Sequence, residues 1–137
     1  MGGMETKIKA AGTFEIDEWK DDVYDDGSDV KLSRVRLTKT FAGDLAGTSE
    51  VHMLAVSTPA GEEFQGAAYV AAEKFTGSLH GREGAFVMVH AASEPHGMKV
   101  AVIPGSASGD LKGLTGQLAI SRHEDGSHTY AFDYELG

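Results

Sequence analysis

The sequence predicts an all-β fold, an eight-stranded antiparallel β-barrel, and three observations carry that prediction. Apolar residues alternate with polar ones along most of the chain, and no stretch keeps the i, i+3, i+4, i+7 pattern of a helix for three turns. Short turn signals separate segments of six to thirteen residues. A Gly-polar-Leu-x-Gly pattern also recurs three times, as GDLAG at 43–47, GSLHG at 77–81 and GDLKG at 109–113, with first glycines 34 and 32 residues apart. A period near 33 residues holds two strands and their turns, so each repeat marks about one hairpin. An open sheet of eight strands would leave two unpaired edges, whereas closure removes them. The leucines of the three repeats, Leu45, Leu79 and Leu111, are expected to cap the core.

The strands follow in order. Residues 7–16 alternate around Ile8, Ala10, Phe14 and Ile16, and residues 30–41 are rich in β-branched and alternating side chains. Residues 48–58 form the third strand, closed by a turn at Pro59 and Gly61, and 64–76 the fourth. Ala-rich YVAAEKF would pass for a helix on propensity, but its neighbours and length favour a strand. Strands over 84–93 and 98–103 flank a turn at EPHG. The last pair, 113–123 and 127–136, joins through EDG and presents Tyr130, Phe132 and Tyr134 on one face. Residues 1–6 read as a flexible lead-in and 20–29 as an acidic loop, with Trp19 and Tyr24 pinning it against the barrel or forming an aromatic lid.

Composition narrows the function. A chain of 137 residues suits one domain, and the absence of cysteine excludes disulfides, thiolate metal sites and a cysteine nucleophile. The net charge is −9, of which residues 15–29 supply −7, so no nucleic-acid partner is expected. No apolar run is long enough to span a bilayer, so no membrane partner is expected and the reading is cytoplasmic.

The succession from Trp19 and Tyr24 through Lys39-Thr40-Phe41-Ala42-Gly43-Asp44-Leu45-Ala46-Gly47, then Glu50, then Glu73-Lys74-Phe75-Thr76-Gly77-Ser78-Leu79-His80-Gly81, His90 and Ile103-Pro104-Gly105-Ser106, resembles a bacterial family of single-domain proteins of unknown function. That family in turn resembles the barrel group of allene oxide cyclase and the dirigent proteins. The resemblance covers about Ala10 to Tyr134. It implies an eight-stranded barrel, a homodimer or higher homo-oligomer, and no particular reaction.

Strand parity selects the candidate site. Glu50 and His52 share a face with Leu54 and Val56, Tyr69 shares one with Ala67, Ala71 and Glu73, and His90 shares one with Phe86 and Met88. Which parity faces inward is open from the pattern alone. A Glu or His among inward apolar side chains is desolvated, which shifts its pKa toward the neutral form and suits it to proton transfer. Glu50, His52, Tyr69, Glu73, Phe86, Met88 and His90 are therefore the candidate ligand-binding residues, grouped near one barrel mouth around a small apolar or amphipathic ligand. Arg34 and Arg36 share a face with Thr38 and Thr40, as solvated charges or, turned inward, as partners of Glu50 or Glu73.

Other chemistries find little support. The six histidines form no His-x-His or His-Glu-x-x-His pattern, so no metal or cofactor is expected. The acidic run lacks the ligand spacing of a calcium loop, and GSASG at 105–109 has Ala where a nucleophile elbow needs Ser. Three functions remain: a ligand-binding barrel, foremost; an isomerase or cyclase in which Glu50, Glu73 or His90 moves a proton; and a structural or interaction protein with a filled barrel and an oligomer face supplied by residues such as Val87, Val89 and Ala91.

Overall fold

The computed structural model describes residues 7–27, 29–58, 68–93 and 97–137. The expected lead-in 1–6, the Pro59–Gly61 turn, the start of the fourth strand and most of the EPHG turn lie outside the described residues. Eight long strands form the barrel: β1 (Ile8–Asp26), β2 (Lys31–Gly43), β3 (Leu45–Ser57), β4 (Ala68–Leu79), β5 (Arg82–Ser93), β6 (Gly97–Val102), β8 (Leu114–Arg122) and β9 (His128–Leu136). A two-residue segment, β7 (Ser108–Gly109), pairs with the start of β5 through Gly84↔Gly109 and Ala85↔Ser108. All pairs are antiparallel, in the order β4-β3-β2-β1-β9-β8-β6-β5, and β5 pairs back to β4 to close the ring. The seam is thinnest at β6 and β8, which meet through Ala101↔Gln117.

The three glycine repeats sit at one end of the barrel. Asp44 is the turn between β2 and β3, His80-Gly81 the turn between β4 and β5, and GDLKG leads into β8. Leu45, Leu79 and Leu111 are fully buried there, as expected. The pair Gly47↔Gly77 is obligatory: a Cβ on Gly47 would lie 2.3 Å from the Thr76 carbonyl oxygen and 2.7 Å from the Gly77 Cα. Gly12 makes room for the Tyr130 hydroxyl in the same way. That hydroxyl accepts from the Leu45 N–H at 2.7 Å and lies 3.2 Å from the Ala42 and Leu45 carbonyl oxygens.

Above the glycine end the barrel is filled by rings. Phe14, Phe41, Phe75, Phe86, Phe132 and Tyr134 form a chain of aromatic contacts with centroid separations from 5.1 to 6.0 Å. A smaller apolar layer of Val35, Leu37, Val51 and Ala71, with Met53 and Tyr69 against it, lies toward the opposite mouth.

The acidic segment corrects the sequence reading. Residues 20–26 are not a loop but the second half of a 19-residue strand, paired with β2 through two register shifts, at Ile16/Glu18 and Val23/Asp25. Cross-strand pairing offsets the charge repulsion: Asp22 faces Arg34 with 3.9 Å between charged atoms, and Asp26 faces Lys31 with 4.0 Å. Arg34 also lies over the Tyr24 ring, 4.4 Å from its centroid. β9 reaches only as far as Phe14↔His128, so the rest of β1 pairs with β2 alone. Ile16, Trp19 and Val23, register partners of the inward Lys39, Leu37 and Ser33 face, are left uncovered.

Candidate functional site

The alternating series Val35, Leu37, Lys39, Phe41 on β2 points inward, as do Ser49, Val51 and Met53 on β3, Tyr69, Ala71, Glu73 and Phe75 on β4, and Phe86, Met88 and His90 on β5. Glu50 and His52 therefore point outward, which corrects their place in the expected cluster. The physical reason is the two-residue pleat: Val51 and Ser49 take the interior, so their neighbours take solvent. On the outer wall Arg36 grips Glu50 with Nε–Oε2 at 3.3 Å and Nη2–Oε1 at 3.1 Å, and His52 Nε2 lies 2.6 Å from Glu50 Oε2. Arg36, then His52, hold the Glu50 carboxyl below its usual range. Glu50 and His52 line an external groove with Thr38, Thr48, Lys74 and Thr76.

Glu73 and His90 are inside and joined. Glu73 is fully buried, and its Oε1 accepts from His90 Nε2 at 2.6 Å and from Lys39 Nζ at 3.2 Å. Its Oε2 accepts from the Ser49 hydroxyl at 2.5 Å. Burial is the largest single influence on this carboxyl and pushes its pKa up. The His90 bond, the Lys39 charge, the Ser49 bond and the His90 charge together outweigh it and hold the group below the ordinary carboxylate range. Lys39 also lies 4.5 Å from the centroid of Phe14, so its charge is shared between a carboxylate and an aromatic face.

Glu73 is thus an ionised acceptor that orients the imidazole: the Nε2 hydrogen points at the carboxylate, which leaves Nδ1 as the ring nitrogen not bound to it. Among the described residues Nδ1 has no hydrogen-bond partner. The Tyr69 ring lies 6.4 Å from that of His90 on the neighbouring strand, and its hydroxyl is also uncommitted among the described residues. Burial first, and the Glu73 charge second, raise the Tyr69 pKa, so the phenol stays protonated as a donor.

Above this polar belt the mouth opens into a cavity of about 500 Å³. Trp19, Val35, Met53, Ala55, Tyr69 and Met98 line it with Ser33 and neighbouring strand ends. Phe86 and Met88 are fully buried below, in the packed core, and do not line the cavity. The interior is layered: an aromatic base, a charged belt, then an apolar vestibule.

Lys39 and Ser49 belong to the belt although the sequence reading passed over them. The signal in the sequence is that Lys39 interrupts the alternating apolar series Val35, Leu37, Phe41. A second polar cluster closes the glycine end: His80 Nδ1 lies 2.5 Å from the Tyr134 hydroxyl and His80 Nε2 lies 3.5 Å from Asp44 Oδ2, which also caps the Ala11 N–H at 2.9 Å. His80 adopts a left-handed turn conformation with φ of 48°. Among the described residues no group of three His, Asp or Glu side chains is arranged to hold a metal ion.

The pattern of the protein family of unknown function DUF3224 matches residues 10–134. The chain belongs to the DUF3224 family. A crystal structure of a DUF3224 protein of unknown function from Shewanella oneidensis MR-1 is 35% identical, covers 96% of this chain and 98% of its own, and superposes with a TM-score of 0.86. Among curated proteins, none matches. Among the described residues of this DUF3224 protein, no helix is long and apolar enough to cross a membrane.

Proposed function

We propose that this DUF3224 barrel binds a small apolar or amphipathic molecule at its mouth, with the ligand's polar group directed toward Tyr69 and His90. One observation carries the reading: a largely apolar cavity of about 500 Å³ is lined by Tyr69, whose hydroxyl has no partner among the described residues and whose ring lies 6.4 Å from that of His90. That size falls within the range of sites that enclose small ligands, about 300–1,000 Å³, and a few convergent polar groups in an apolar wall orient such ligands. The aromatic base is filled by packed rings. The wider likeness to the allene oxide cyclase and dirigent barrels belongs to this proposal, as do cytoplasmic residence and assembly into a homodimer or higher homo-oligomer.

Native mass spectrometry of protein that has never been unfolded or extracted tests the reading. Retention of a small organic mass that is lost in an Ala55→Phe variant supports it. Ala55 lines the mouth, and a benzyl group there takes up part of the vestibule. Ligand-free spectra, together with no uptake of a panel of apolar alcohols and ketones, would remove it.

A further inference from the structure

The belt holds more than a binding site requires. A ligand-orienting histidine needs one hydrogen bond to the ligand, whereas His90 is fixed by an ionised carboxylate that is itself neutralised by Lys39 and tied by Ser49. Such an arrangement stabilises an imidazolium the moment one forms, because the new charge appears 2.6 Å from a carboxylate in a site shielded from water. Tyr69, a phenol donor with no other partner among the described residues, projects from the adjacent strand.

We propose that the mouth catalyses a proton shift in an apolar ketone, with His90 Nδ1 as the base and the Tyr69 hydroxyl as the donor to the carbonyl oxygen. This rests on the binding reading above and extends it to a substrate class. In the first step the bond between an α-carbon and its hydrogen breaks and the proton passes to His90 Nδ1. The released pair forms the carbon–carbon double bond of an enolate, and the carbonyl π pair moves to oxygen, which the Tyr69 O–H stabilises. In the second step His90 Nδ1 delivers a proton, either the one it took or one it has exchanged for it with solvent, to the α-carbon or, where a β,γ double bond is present, to the γ-carbon. The net result is α-hydrogen exchange or migration of the double bond into conjugation, with no oxidant, reductant or co-reactant. Tyr69 and His90 are catalytic residues in this scheme, and Glu73 is a positioning residue acting through His90. The cavity's apolar lining selects a carbocyclic or alkyl ketone rather than a charged substrate.

The test uses the full chain and two probes, a saturated bicyclic decalone and its β,γ-unsaturated octalone analogue. Binding is read by saturation-transfer NMR, and chemistry by loss of α-proton signals in deuterated water and by appearance of the conjugated enone absorbance. The expected result is binding of both probes, exchange and isomerisation above the buffer rate, a fall of at least about 100-fold in His90→Gln, and a fall of about 10-fold or more in Tyr69→Phe, with affinity changed far less. In Glu73→Gln, 15N NMR is expected to show His90 no longer held in the Nε2–H tautomer, a change that mere loss of packing would not produce. Tyr69→Phe keeps the ring and its packing, so it reports even where a His90 variant folds poorly. Binding without exchange, or exchange as fast in His90→Gln and Tyr69→Phe as in the wild type, overturns the proton-shift proposal while leaving the binding reading standing. Absence of both binding and exchange overturns the two together.

Discussion

At the residue scale, the decisive feature is a carboxylate that keeps its charge in the interior. Glu73 is stabilised by three donors, so removing it strands Lys39 without its partner; breaking a buried pair from one side costs about 3–5 kcal/mol. Glu73→Ala is therefore expected to lower the urea midpoint strongly, whereas the double substitution Lys39→Met with Glu73→Gln is expected to recover much of the loss. The pH dependence has a definite sign. Glu73 has a folded pKa below its ordinary value of 4.5, so its stabilisation is complete above that value and is lost as pH falls through the lower, folded pKa. Urea titrations of wild type and Glu73→Gln are expected to converge as the solution becomes more acid, and a gap that stays constant down to strongly acid pH would contradict the ionised belt. The same residues show how far the sequence could be read. Glu73, Tyr69 and His90 were recognisable because each sits among apolar residues at alternate positions. Glu50 and His52 satisfy the same pattern beside Leu54 and Val56, yet those two apolar residues lie on the outer wall. Parity groups side chains by face but carries no sign for inside and outside.

At the scale of elements, glycines and one tyrosine set the hairpins. Gly47→Ala is expected to destabilise the β3–β4 pair by more than the roughly 0.5–1 kcal/mol that separates Gly from Ala in backbone freedom, because its Cβ would overlap a backbone carbonyl. Gly126→Ala, whose added methyl meets open space but whose φ is 88°, is expected to cost less, and thermal melts by circular dichroism rank the two. Tyr130→Phe leaves the Leu45 N–H without its side-chain acceptor and is expected to cost about 1–3 kcal/mol. The hairpin order was legible because turn residues and alternation are local signals. The length of β1 was not, because the acids of residues 15–29 look like a solvated loop until Lys31 and Arg34 are seen opposite them. That pairing depends on register, which is a property of two segments together. These exposed pairs hold the strand's geometry more than its stability, so Asp22→Ala is expected to cost under about 1 kcal/mol.

At the scale of the whole molecule, the barrel divides its interior between support and use. The ring-filled base and the glycine hairpins provide rigidity, and above them Tyr69 lines the vestibule beside the His90 of the belt. β1 runs past β9, which leaves Trp19, the chain's single tryptophan, on the vestibule wall. That placement supplies the most direct measurement. Trp19 emission titrated with 10-bromodecanol, whose heavy atom quenches a neighbouring indole and whose hydroxyl suits Tyr69 and His90, is expected to fall saturably. Ala55→Phe is expected to abolish the saturable phase, and Tyr69→Phe to weaken affinity by about 1 kcal/mol, the net worth of one hydrogen bond. Quenching that rises linearly without saturation, or that saturates identically in Ala55→Phe, would show that the vestibule is not a binding site.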